Sequence, residues 1–129
     1  MFAYDPSIPP APQAWLDLDE LERIRLVEVF HRRQRGKRLN FKAHAAVHAI
    51  VENQLAEGVE SVVRAMGRLH GEGLSRHDAL HAIGCVLAEE LHDLVTVGAD
   101  EPPGVARARY DAALERLSAA EWRRLYGRK

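Results

Sequence analysis

Two segments of this chain set histidines four residues apart: His44-Ala45-Ala46-Val47-His48 and His77-Asp78-Ala79-Leu80-His81. Residues i and i+4 share one face of a helix, so each segment would present two imidazoles close enough to hold a single cation. Glu52 extends the first set by a further turn. There are seven histidines in 129 residues. Random placement would give roughly 0.4 pairs at helical neighbour spacing, and two are present. Imidazole with carboxylate suits one divalent first-row transition ion (Zn, Fe, Ni or Mn), and the donors alone do not choose among these. The expected metal ligands are therefore His44, His48, His77, His81 and Glu52. Glu52 has a second assignment as the catalytic group, a base acting on metal-bound water.

Competing readings use the same residues. Helical histidines also cap amides, bond to carboxylates or fill space beside alanines, and a metal-free interaction module is the bland alternative. His77-Asp78-Ala79-Leu80-His81 is similar to the zincin signature, in which a Glu between two helical histidines is the general base. Asp78 is one methylene shorter than that Glu, and Leu87, which cannot ligate, stands where an extended motif needs its third histidine. Glu-x-x-His, the di-iron carboxylate signature, occurs at Glu28–His31 and Glu89–His92, but the third helix is too short to complete that architecture. The part played by His31, His70 and His92 stays open.

The elements that must carry the pairs are all helical. Four of the six prolines lie at Pro6, Pro9, Pro10 and Pro12, which predicts an extended arm over residues 1–14. Asp17 with Glu20 reads as a capping box for an apolar stripe running through Leu21, Ile24, Val27 and Phe30 to Gly36. Asn40 caps a second helix ending at Gly58, and a short third helix stops at Gly71 and Gly73. Ser75 caps a fourth reaching Gly98. A fifth spans Val105–Leu117, and Ser118 caps a last short one. No alternating strand pattern and no repeat are present. The expected fold is all-α, one domain over 1–129, a compact bundle of about five to six helices. In an up-down-up order the second and fourth helices would run parallel and bring both histidine pairs to one end.

The stretches His44–Leu55 and Gly73–Gly84 resemble an uncharacterised family of small bacterial all-helical proteins with two His-x-x-x-His segments. In that family Glu-Asn-Gln or Glu-Gln follows the first pair, as Glu52-Asn53-Gln54 does here. A His-(Glu/Asp)-Ala-x-His-Ala segment comes later, as His77–Ala82 does. The resemblance covers residues 40–88 well and the flanks in general layout. It implies that the two pairs belong to a family pattern, and it brings no established activity. Asp78 replaces the commoner Glu, which weakens any general-base role there.

Composition narrows the function classes. Apolar residues make up 47% and charged residues 29%, with 18 Lys+Arg against 19 Asp+Glu and a net charge of −1. That is a globular balance without global attraction to nucleic acid. Five basic residues lie between Arg32 and Arg38; they complement a helix C-terminus, with a nucleic-acid or acidic-partner patch as the alternative. One cysteine, Cys85, excludes an internal disulfide. The start lacks a basic, apolar leader, and no apolar run approaches the ~18 residues of a membrane span. A cytoplasmic location without membrane association is expected; a homo-oligomer and a small-molecule substrate are left open. Function divides three ways: a metal-dependent hydrolase, a domain with a purely structural metal, or a metal-free interaction or nucleic-acid-binding module.

Overall fold

The computed structural model describes residues 4–35, 41–97 and 101–126, with backbone alone at 31–35, 41–42, 94–97 and 126. Every regular element among them is a helix: α1 Pro12–Leu16, α2 Glu20–Arg35, α3 Phe41–Ala56, α4 Glu60–Gly71, α5 Arg76–Val97, α6 Val105–Arg116 and α7 Ala119–Tyr126. The all-α bundle expected from the apolar periodicity is the fold found. None of these helices is long and apolar enough to cross a membrane. The basic run between Arg32 and Arg38 and the Asn40 cap lie outside the described side chains.

The N-terminal region departs from expectation. Pro12 opens α1, because proline's fixed φ suits the first helical position and its missing N–H costs nothing there. The arm is therefore shorter than 1–14, and it is not a surface tether: Tyr4 and Pro6 are buried. Asp17 is the C-cap of α1 rather than the N-cap of α2, whose first backbone bond runs from Arg23 N–H to Asp19 O. Two caps do stand where the sequence puts them. Ser75 Oγ accepts from Asp78 N–H at 3.1 Å and Ser118 Oγ from Glu121 N–H at 3.1 Å.

Helix α3 divides the interior into two apolar clusters. Its buried Ala45 and Ala49 pack with Tyr4, Trp15 and Val27, beneath the arm, α1 and α2. Small residues let those elements approach α3 closely. Val51, on its other side, joins Val62, Leu69, Leu80, Ile83, Tyr110 and Leu114 in the larger core, where each large apolar side chain contributes about 1.5–3 kcal/mol on burial. Polar ties fix the clusters to α3. Trp15 Nε1 and Arg23 Nη1 both donate to Asn53 Oδ1, at 2.9 and 3.0 Å, and the Tyr110 hydroxyl donates to Gln54 Oε1 at 2.7 Å.

The relation of α3 to α5 is the second departure. Glu52 meets Arg76, His48 meets His77 and His44 meets His81, so contacts advance along one helix while retreating along the other. The two helices are antiparallel, not parallel. Helix α4 does not return alongside α3 as an equal third rod; it packs on α5 and α6 as well as α3. Gly73, with φ of +103°, supplies the left-handed residue for the turn into α5. Between α3 and α5, a Cβ on Gly84 would stand 3.3 Å from Val47 Cγ1. Only glycine allows that approach without a shift of its neighbour.

Candidate metal centre

Antiparallel packing still brings the histidines together, because the first two turns of α5 dock against α3 between His44 and Glu52. Ring centroids are 5.0 Å apart for His44–His81, 5.6 Å for His48–His81 and 6.3 Å for His44–His48. One ring nitrogen from each of His44, His48 and His81 lies within 4.8 Å of the others. A first-row ion bonds imidazole nitrogen at about 2.0–2.1 Å, so rotation of these rings toward a common centre would let them share one. His48 is 3% exposed, which fixes one corner; His81 is half-buried and His44 exposed, which leaves the others room to adjust.

Two sequence-predicted ligands stand outside this trio. His77 lies beside it, with its ring 4.4 Å from His81 and 5.8 Å from His48, and edge-on to Phe30 at 5.6 Å. Glu52 is 1% exposed, but both of its oxygens are engaged. Arg76 donates from Nη1 to Oε2 at 2.8 Å and from Nη2 to Oε1 at 2.9 Å, and the Tyr4 hydroxyl donates to Oε2 at 2.5 Å. Burial works against the Arg76 guanidinium, yet the hydrogen bonds and charge of Glu52 hold its pKa above the ordinary value. A bidentate pair of this kind leaves the carboxylate as an acceptor at both oxygens.

That pair decides how His48 is held. The Tyr4 hydroxyl also lies 2.8 Å from His48 Nε2. Burial and the adjacent Glu52 carboxylate push the phenol far above its usual range, so Tyr4 keeps its one proton and gives it to Glu52. Its oxygen must then accept from His48, which carries its proton on Nε2. The lone pair of His48 is left on Nδ1. Arg76, Glu52 and Tyr4 thus select the tautomer and orient the ring of a candidate ligand, the task that hydrogen-bonded carboxylates perform around metal-bound imidazoles.

Tyr4 and Arg76 are the residues of the candidate site that sequence reasoning missed. Tyr4 sits in a proline-rich arm with no periodicity to place it. Arg76 adjoins His77 and could have been paired with Glu52 only by knowing that the helices run in opposite directions. Arg76 also donates from Nη1 to the carbonyl of Pro6 at 2.9 Å, which holds the arm down over the site. Asn53 and Gln54, which follow Glu52 in sequence, bond Trp15, Arg23 and Tyr110 as described above. His70 and His92 are exposed on α4 and α5, and His92 approaches its neighbour Asp93 at 3.7 Å.

The trio opens on a cavity of about 490 Å³ between α3, α5 and α7. Besides the three histidines, its walls include Val47, Leu80, Cys85, Ala88 and Trp122. Cys85 lies one turn beyond His81; burial raises its thiol pKa, and the Trp122 indole N–H opposes the rise. Comparisons with protein-family models, curated proteins and solved structures return no match, so the functional reading rests on this geometry.

Proposed function

We propose that the protein binds one divalent first-row transition ion between α3 and α5, through His44, His48 and His81, and uses it in hydrolysis. The observation that carries the reading is the convergence of three imidazole nitrogens within 4.8 Å of one another at the wall of a cavity. Three protein ligands with an open position toward a cavity is the arrangement of catalytic sites, whereas structural sites close all four positions. An ion in such a site lowers the pKa of a coordinated water to near 7. In this reading Glu52 is neither ligand nor base. It acts through Tyr4, setting the His48 tautomer, and its charge is matched by Arg76. His77 supports the rings of His48 and His81 from outside the trio.

One observation favours the structural alternative: Cys85 lines the same cavity and could close the coordination. Cobalt(II) substitution distinguishes the two. The open, three-histidine centre predicts uptake of about one ion per chain, no thiolate-to-cobalt charge-transfer band, and displacement of a coordinated water by azide. A strong charge-transfer band lost on Cys85→Ser would establish a closed site and contradict the hydrolytic reading. Failure to take up cobalt, zinc, nickel or manganese would remove the metal altogether and leave the metal-free module.

A further inference from the structure

The cavity beside the histidine trio says what a ligand of that site would look like. Its described walls are three imidazoles, a thiol, an indole and the apolar residues Ala43, Val47, Leu80, Gly84 and Ala88. Among these described lining residues there is no Asp, Glu, Lys or Arg. The nearest buried carboxylate, Glu52, is matched by Arg76 and is not among the lining residues. Three neutral imidazoles leave the charge of a divalent ion uncompensated. The open position therefore favours an anionic oxygen donor, because opposite charges attract. Apart from the Cys85 thiol and the Trp122 indole N–H, the described walls beyond the histidines are apolar, so the body of the ligand must be largely apolar too. A volume of about 490 Å³ falls within the range of small-molecule sites, roughly 300–1,000 Å³. Trp122 offers a ring face for stacking.

We infer that the cavity takes a small monocarboxylate with an apolar, preferably aromatic, body: the carboxylate reaches the ion and the body lies between Val47, Leu80 and Trp122. As substrate or product, this is the acid released when an ester or amide of such an acid is hydrolysed. Water adds to the acyl carbon, the C–O or C–N bond breaks, and the leaving alcohol or amine takes a proton. The inference rests on the proposed metal site, and its failure can be told from the failure of that site.

The test uses the zinc-loaded full chain in calorimetric titrations with phenylbutyrate, its neutral counterpart phenylbutanol, and butyrate. Phenylbutyrate is expected to bind at least about tenfold more tightly than either, the equivalent of ~1.4 kcal/mol, and to lose its advantage over phenylbutanol in the metal-free protein. Ala43→Phe and Ala88→Phe, from facing helices, would place a ring in the cavity without replacing a ligand. Each should keep about one zinc per chain and bind phenylbutyrate at least about tenfold more weakly. Agreement of the two variants separates cavity filling from a local folding defect. If the zinc-loaded protein binds phenylbutyrate no better than butyrate, the apolar body has no site here. If phenylbutanol binds equally well, the carboxylate is not read by the ion. Either result overturns the inference while leaving the metal site standing. A chain that takes up no zinc overturns both.

Discussion

Among single residues, Tyr4 ties the most parts of the candidate site together. Its hydroxyl is the link between a buried ion pair and the His48 imidazole, so removing one oxygen atom breaks both hydrogen bonds and leaves the ring in place. Tyr4→Phe should weaken zinc binding by roughly 10- to 100-fold, as loss of outer partners does at metal-bound histidines, while costing only about 1–2 kcal/mol of stability. Competition titration against a chelator, alongside a melting curve, checks it; unchanged affinity would show that the His48 tautomer does not matter to the site. Glu52→Gln has a different signature. It leaves the Arg76 guanidinium, whose side chain is 14% exposed, without its carboxylate, and truncating one partner of a buried pair costs on the order of 3 kcal/mol. Large destabilisation with metal stoichiometry preserved is expected, since the proposed site takes no donor from Glu52. A stable Glu52→Gln protein that binds no metal would return Glu52 to the ligand set.

At the scale of the element, the distance between α3 and α5 governs whether His44 and His81 can meet. That distance is set where Gly84 faces Val47 Cγ1. Gly84→Ala asks Val47 to yield by a few tenths of an ångström, whereas Gly84→Leu forces the helices apart, at about 1–3 kcal/mol for overpacking. Gly84→Leu should also lower metal affinity far more than a substitution of equal cost remote from the crossing. Equal metal affinity in the two glycine variants would detach the site from the helix spacing. Helix α6 gives an alkaline signature. Burial raises the Tyr110 phenol from 10.0 to about 12, so the folded state holds its proton after the unfolded chain has released it. Stability from this group is complete below pH 10.0 and declines up to about pH 12, by as much as ~2 kcal/mol. Denaturant titrations across that window should show a shallower loss for Tyr110→Phe; identical losses would contradict the assignment. Helix spans, the Ser75 and Ser118 caps and the histidine pairs were legible in sequence because each rests on spacing within one segment. The direction of α5 against α3 was not, because it depends on how a short α4 packs on α6 as well as α3. Asp17 misled for a related reason: an N-cap and the end of a preceding single-turn helix draw on the same residue types.

At the scale of the whole molecule, the candidate centre sits where two apolar clusters meet along α3. The arm, α1 and α2 close one side, and α5 with α7 open the other onto the cavity. The N-terminal segment is thus part of the site through Tyr4 and Pro6, which neither its composition nor its prolines announced. Truncation of residues 1–7 should therefore weaken metal binding through loss of the Tyr4 contact, with the larger core around Leu69, Leu80 and Leu114 retained; a truncated chain with full affinity would show that the arm is only a cover. The most direct test of the central claim is anomalous diffraction from crystals of the protein saturated with zinc. One strong peak bonded to ring nitrogens of His44, His48 and His81, with His48 coordinating through Nδ1 and Glu52 still held by Arg76, is the predicted result. A peak ligated by Glu52, or no peak among these histidines at saturating zinc, would contradict the account.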